Sequence, residues 1–137
     1  MKHTPRVTSS VIFVSELDRS VDFYRDVFAC DVAIHDPEAA LLIAPGGFQI
    51  YVIARGPRAP HPSGAIGPQC LIWAAGSADD LEELEQALRG YGRPTDTCTS
   101  GGVTFVTGRD PDGIRILMAH PGPDQLPRSV VGAHLYR

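Results

Sequence analysis

The side chains best suited to acid–base or metal chemistry are five histidines and three cysteines, and they are scattered along the chain. No histidine belongs to an H-x-H or H-E-x-x-H pattern, and no two cysteines form a C-x-x-C pair. A nucleophile elbow, a phosphate-binding loop and a dinucleotide fingerprint are also missing. Local motifs therefore predict no catalytic residue, no metal site and no cofactor. The residues concerned are His3, His35, His61, His120, His134, Cys30, Cys70 and Cys98.

Composition limits the possible partners. The chain has 137 residues and a net charge of −4, which argues against a nucleic-acid partner because such a protein needs a basic face. No apolar run reaches the roughly 18 residues of a membrane span. The N-terminus has no stretch of signal-peptide type, so a cytoplasmic protein without a membrane partner is expected. Three cysteines in no zinc-site spacing predict reduced thiols.

The first half of the chain predicts a strand, a helix and three further strands. Residues 7–14 alternate as a strand does, and Asp18 is expected to cap a helix over 19–29 because its carboxylate can accept from free backbone N–H groups. The apolar stripe of this helix comprises Val21, Tyr24, Val27 and Phe28. The three further strands are expected at 31–35, 40–44 and 48–54.

The second half repeats this order. A strand at 69–75 precedes a helix that Ser77 caps and that Gly92 is expected to end. Its apolar stripe comprises Leu81, Leu84, Leu88 and Tyr91. Further strands are expected at 94–100, 103–107 and 114–119.

Two copies of strand–helix–strand–strand–strand indicate one α+β domain built from tandem βαβββ modules. Module 1 covers about 7–54 and module 2 about 69–120, with a C-terminal tail over 121–137. The proline- and glycine-rich linker over 55–68 is either a lid over a cavity mouth or a plain crossover. Each helix can cover one face of its curved sheet, so the other face is expected either to be buried against the second module or to line a cleft around a ligand.

The stretch Val14-Ser-Glu-Leu-Asp-Arg-Ser-Val-Asp-Phe-Tyr-Arg-Asp-Val-Phe resembles the opening of the vicinal oxygen chelate superfamily, which includes glyoxalase I, extradiol dioxygenases and bleomycin-binding resistance proteins. Asp110-Pro-Asp-Gly-Ile-Arg-Ile resembles its closing hairpin and last strand. The resemblance spans roughly residues 7–120 and implies the fold. It does not identify the activity, because the superfamily supports many chemistries.

The resemblance also implies where metal ligands would lie, on the first and fourth strands of each module. Those positions correspond here to Ser9, Tyr51, Cys70 (or Gln69, if the strand is shifted by one) and Leu117. Metal-dependent members have histidine, glutamine or glutamate there, whereas leucine offers no donor atom. The departures argue against the usual metal chemistry.

The side chains expected to line the cleft are mainly apolar and aromatic. Trp73 is expected there only in the shifted register, as a stacking platform; otherwise it packs against a helix. Arg115 is expected either to meet an anionic group of a ligand or to pair with an acid. The predicted ligand-binding residues are Ser9, Val11, Phe13, Gln49, Tyr51, Ile53, Cys70, Ile72, Trp73, Arg115 and Leu117.

These observations favour a metal-independent protein that binds a small apolar or aromatic molecule, for example to sequester an antibiotic. One alternative is a metal-dependent lyase, isomerase or dioxygenase of the same superfamily. Another is a structural or regulatory dimer with a vestigial cleft. The resemblance predicts a homodimer, with the linker and Val130-Val131 as candidate contact segments.

Overall fold

The computed structural model describes residues 6–56 and 68–122 of the chain. The chain divides into two compact units, Met1–Ala59 and Pro60–Arg137. Each unit contains a strand, a helix and three more strands, which confirms the α+β class and the βαβββ order. Most of the predicted linker, Val130-Val131 and three of the histidines lie outside the described residues. Within the described part, no helix is long and apolar enough to cross a membrane.

The first unit is a four-stranded sheet with one helix. Its strand order is β1-β4-β3-β2; β1 and β4 are parallel, and the other neighbours are antiparallel. The helix that follows β1 returns the chain across the sheet, and short turns then join β2, β3 and β4. The elements are β1 (Ser9–Val14), α1 (Leu17–Phe28), β2 (Asp31–His35), β3 (Ala39–Ile43) and β4 (Gln49–Ala54).

Helix α1 begins two residues earlier than predicted, and the expected cap by Asp18 is wrong. Glu16 occupies the N-cap position without a side-chain capping hydrogen bond. Asp18 lies in the first turn, where a negative charge favours the helix N-terminus, and its carboxylate contacts His35 Nε2 at 3.1 Å. The helix ends at Phe28, and the C-cap residue Ala29 adopts the left-handed conformation with φ of 55°. All four residues of the predicted stripe are buried, which confirms the stripe.

The second unit has the same topology, with strand order β5-β8-β7-β6. Ser77 caps α2 as predicted, because its Oγ accepts from the Asp80 N–H at 3.0 Å. The helix ends at Arg89, before the expected stop at Gly92. Tyr91 therefore lies outside the helix and is exposed, which corrects its place in the predicted stripe. The elements are β5 (Cys70–Ala74), α2 (Ala78–Arg89), β6 (Asp96–Ser100), β7 (Val103–Arg109) and β8 (Arg115–His120).

Each helix packs on one face of its own sheet. In the first unit, Ile50 and Val52 are fully buried on the α1 side. The ring of Phe23 contacts Tyr24 edge-on, with 5.0 Å between ring centroids. In the second unit, Gly108 of β7 lies directly beneath Leu88 of α2, close enough that a Cβ atom at Gly108 would collide with the leucine side chain. The opposite face of each sheet is not covered by its helix, and it carries the residues predicted to bind a ligand except Trp73.

Cys30 is buried next to the end of α1, with 2% of its surface exposed. Burial, with a contribution from the charge of Asp31, raises the pKa of its thiol to about 11. The stabilising contribution of the protonated thiol is therefore complete below the unfolded-state pKa of about 8.5 and is lost as pH rises through the folded-state value.

We expect Cys30 to resist Ellman's reagent at pH 8 in the native protein, because thiolate is the reactive form and little is present. The half-buried Cys70 and Cys98 should react faster. The rate of thiol modification is followed with and without denaturant. Cys30→Ala should abolish the slowly reacting thiol of the native protein. Three rapidly reacting thiols in the native protein would contradict the expectation.

Candidate functional site

The first candidate surface is the face of the first sheet that α1 does not cover, called here the first open face. Parallel pairing of β1 with β4 sets Val11 opposite Tyr51 and Phe13 opposite Ile53. Side chains alternate between faces along a strand, so all the predicted first-unit residues lie on this one face. They are Ser9, Val11, Phe13, Gln49, Tyr51 and Ile53.

Large apolar side chains on the first open face are exposed. Val11 is 60% exposed and Phe13 58%, and Tyr51 is 39% exposed. Leu41 lies opposite Tyr51, and Ile34, which is also exposed, lies opposite Leu41. Ile34 and Leu41 are not among the predicted binding residues, although the alternation of side chains in their strands indicates that they share this face. Contiguous exposed apolar surface is typical of a binding or interaction site.

Two polar features border this surface. Ser9 Oγ donates to Gln49 Oε1 at 3.2 Å, which orients the amide and leaves its nitrogen as a donor for a ligand. At the other end, the Arg55 guanidinium lies 4.7 Å from the centroid of the Phe13 ring, a cation–π contact. The first open face therefore offers an apolar surface for a planar group and a hydrogen-bond donor for a polar atom of the same ligand.

The corresponding face of the second sheet, called the second open face, differs in exposure. Cys70 lies opposite Arg115, and Ile72 opposite Leu117, as the unshifted register predicts. Leu117 is fully buried in an apolar cluster against which Cys70 and Ile72 pack. The other buried members of the cluster are Val103, Phe105 and Ala119. Leu117 thus packs as a core residue, although its counterpart Tyr51 in the first unit is exposed.

Trp73 lies on the opposite side of the second sheet. It pairs with Met118, so it shares the face that packs against α2, and it is half-buried there. This position agrees with the packing role considered for Trp73 and not with the stacking role in the shifted register. Gln69 precedes β5 and is exposed.

The positions at which the resemblance implies metal ligands are equivalent in the two units. Ser9 and Cys70 are the first residues of the first strand in their units. Tyr51 lies two residues after Gln49, the partner of Ser9, and Leu117 lies two residues after Arg115, the partner of Cys70. The Ser9 hydroxyl already donates to Gln49, and Leu117 has no donor atom. Neutral serine and tyrosine are weak metal ligands, so this set does not fit the nitrogen and carboxylate ligands that the resemblance implies.

The described histidines have structural partners. His35 contacts Asp18 of α1, and His120 Nδ1 donates to the carbonyl oxygen of Ala75 at 3.0 Å. Within residues 6–56 and 68–122, no three histidine, cysteine or acidic side chains are grouped as a metal site would require.

Comparison with known proteins agrees with this architecture. The model of the Glyoxalase/Bleomycin resistance protein/Dioxygenase superfamily matches residues 6–118. No curated protein matches the chain.

Several solved structures share the fold. A glyoxylase/bleomycin resistance protein/dioxygenase domain from Frankia sp. EAN1pec is 21% identical with a TM-score of 0.75, over 85% of this chain and 98% of its own. A lactoylglutathione lyase from Agrobacterium tumefaciens is 19% identical with a TM-score of 0.66, over 85% and 93%. The oxidase ChaP-H2 is 19% identical with a TM-score of 0.63, over 85% and 94%. At these identities the likeness establishes the fold alone.

Proposed function

Because the chain belongs to the Glyoxalase/Bleomycin resistance protein/Dioxygenase superfamily, we propose that it binds a small apolar or aromatic molecule on the first open face, without a metal ion. The observation that carries this proposal is the exposed apolar and aromatic surface of that face. Val11, Phe13 and Tyr51 lie side by side on two neighbouring strands, where a planar molecule could cover them together. Full burial of an exposed side chain of this size is worth about 1.5–3 kcal/mol, and these side chains, which are 39–60% exposed, would gain a part of that on being covered.

The polar side chains of Ser9 and Gln49 at the border of the first open face favour a ligand that carries a polar atom. The Gln49 amide nitrogen is a donor, and the hydrogen bond from Ser9 holds the amide in place. A pre-oriented donor loses little freedom when a ligand binds, so it contributes to specificity at low entropic cost. The expected ligand is therefore a planar apolar molecule with at least one hydrogen-bond acceptor.

The residues at the family's metal positions support binding without a metal. Leu117 lies in an apolar cluster, and Ser9 is engaged by Gln49. A protein that retains the scaffold without such ligands can still bind a molecule and withhold it from its target. Sequestration of a toxic compound, such as an antibiotic, is the role we propose. Cytoplasmic location and a homodimer remain predictions, and light scattering on a size-exclusion column tests the second.

We expect protein dialysed against EDTA to bind the neutral planar probe 2-naphthamide in isothermal titration. Phe13→Ala and Tyr51→Ala should each weaken binding about 5- to 30-fold, because each removes one aromatic contact worth about 1–2 kcal/mol. Tyr91→Ala is the matched control, since Tyr91 is as exposed as Tyr51 (38% against 39%) but lies beyond the end of α2. Equal weakening by all three variants would contradict a site on the first open face.

Elemental analysis tests the alternative of a metal-dependent lyase, isomerase or dioxygenase. Protein purified without chelator is expected to contain iron, manganese, nickel or zinc well below one equivalent. A full equivalent of one of these metals that is lost on Tyr51→Phe or Cys70→Ala would overturn the metal-independent proposal.

A further inference from the structure

Two arginines face each other across the last hairpin of the second unit. The antiparallel register of β7 and β8 sets Arg109 directly opposite Arg115. The Cβ atoms of directly opposed residues are about 4.5–5.5 Å apart, so both side chains leave the same face of the sheet at nearly the same point. That face is the second open face, because Arg115 alternates in phase with Leu117 along β8.

Like charges directly opposite each other destabilise a sheet unless another group compensates them. Neither guanidinium forms an ion pair with any residue in the described parts of the chain. Within residues 6–56 and 68–122, the one side-chain hydrogen bond of the pair runs from Arg109 Nη1 to the carbonyl oxygen of Gly113, at 3.1 Å. Other arginines of the chain do have acidic partners: Arg25 contacts Asp22 at 2.9 Å, and Arg89 contacts Glu85 at 3.3 Å.

The carboxylate next in sequence to Arg109 is committed elsewhere. Asp110 is fully buried, and its Oδ1 accepts from the backbone N–H groups of Asp112 and Ile114, both at 2.9 Å. These bonds shape the turn that joins β7 to β8. The turn therefore holds the two arginines side by side and keeps the Asp110 carboxylate within it.

We propose that Arg109 and Arg115 together bind one anionic group of a small molecule: a carboxylate, a sulfonate or a phosphate. Guanidinium groups stay charged at all physiological pH values, and their planar forks match the oxygen pairs of such anions. Arg115 is half-buried, which limits screening of its charge by water, and Arg109 is tethered by Gly113. An anion shared by both side chains would remove the repulsion between them.

The surroundings favour a small molecule over a nucleic acid as the source of the anion. The half-buried Cys70 lies opposite Arg115, and Ile72 follows on the same face, so an apolar group could lie beside the anion. A chain of net charge −4 offers no broad basic face for a phosphate backbone. This inference concerns the second unit and does not depend on binding at the first open face.

Titration of ¹⁵N-labelled full-length protein with inorganic phosphate, at constant ionic strength set by sodium chloride, tests the proposal. The Nε–H resonances of Arg109 and Arg115, identified by their loss in Arg109→Gln and Arg115→Gln, are expected to shift saturably. Either substitution should weaken phosphate binding at the remaining arginine at least about tenfold, the effect of losing a charged hydrogen bond. Arg115→Lys keeps the charge without the fork and should bind with intermediate affinity.

Arg25→Gln is the matched control, because it removes the same charge from the exposed face of α1 and should leave phosphate binding unchanged. Benzoate and benzamide form a second pair of probes, of which only the carboxylate should shift the two resonances. Tighter binding of phosphate or of benzoate identifies which anion the site prefers.

Similar shifts at Arg25 and at the proposed pair, or no saturable shift at the pair, would overturn the proposal. Neither result bears on 2-naphthamide binding at Phe13 and Tyr51, so the two hypotheses fail separately.

Discussion

Leu117→Glu is expected to destabilise the protein by about 4 kcal/mol or more, which is a large share of the roughly 5–15 kcal/mol by which a typical domain is stable. Leu117 has no exposed surface and packs in the cluster of Val103, Phe105 and Ala119. A carboxylate at this position would lose its hydration among the apolar side chains of the cluster. The same change would place the superfamily's typical acidic ligand at the equivalent position, so it also tests whether this site tolerates that ligand.

Tyr51→Glu is the matched control, because Tyr51 occupies the equivalent position of the first unit and is 39% exposed. A glutamate there stays hydrated, so the free energy of unfolding should change by about 1 kcal/mol or less. Urea denaturation at pH 7, followed by far-ultraviolet circular dichroism, measures both effects. Similar destabilisation by the two substitutions would contradict the difference in burial between the two open faces.

The pH dependence of the Leu117→Glu variant gives a second measurement. Burial should raise the pKa of the new carboxyl group in the folded state above the unfolded value of about 4.3. The variant should therefore be closest to the wild type below about pH 4, and it should lose stability as pH rises through the raised value. A difference in stability that does not change with pH would show that the carboxylate reaches water.

The second large effect is expected at the contact between Gly108 of β7 and Leu88 of α2. Leu88 is fully buried, and the three atoms nearest to a Cβ built on Gly108 all belong to Leu88. Gly108→Ala should overpack this contact and destabilise the protein by about 1–3 kcal/mol. Leu88→Ala should leave a cavity that costs about 2–5 kcal/mol.

The double variant should be more stable than the sum of the two effects predicts, by about 1 kcal/mol or more, because the smaller residue at 88 makes room for the new methyl group. Leu84→Ala combined with Gly108→Ala is the matched control. Leu84 is half-buried on the same helix and is not among the atoms nearest Gly108, so its effect should be additive within about 0.5 kcal/mol. Thermal and urea unfolding of the variants test this cycle, and full additivity for Leu88 would contradict the contact.

Local patterns were sufficient for the order of elements and for the repeat. Helix stripes, glycine turns and strand alternation depend on residues near each other in sequence, and α1, α2 and the eight strands appear in the predicted order. Local patterns were less reliable at helix ends. Asp18 has the chemistry of a cap but lies inside α1, where it contacts His35 of β2. The role of Asp18 depends on His35, a residue of a strand that is 17 positions away in sequence.

The register of β5 is a second feature that local sequence left open and tertiary pairing decided. The sequence left open whether Cys70 or Trp73 shares a face with Leu117, because the strand is apolar on both sides. Pairing with β8, 45 residues further along the chain, sets Cys70 opposite Arg115 and Trp73 opposite Met118. The sequence could not determine this pairing, because hydrogen bonds between distant strands select it and alternation within one strand is compatible with either face.

The amino-acid sequence by itself determined a tandem βαβββ scaffold, and its resemblance implies four positions for metal ligands. It also determined that one of these positions is a leucine, which cannot ligate. Only the tertiary structure decided that Tyr51 is exposed while Leu117 is buried, and that Arg109 faces Arg115. Burial and juxtaposition depend on residues distant in sequence, so equivalent positions of a repeat can be exposed in one unit and form a core in the other.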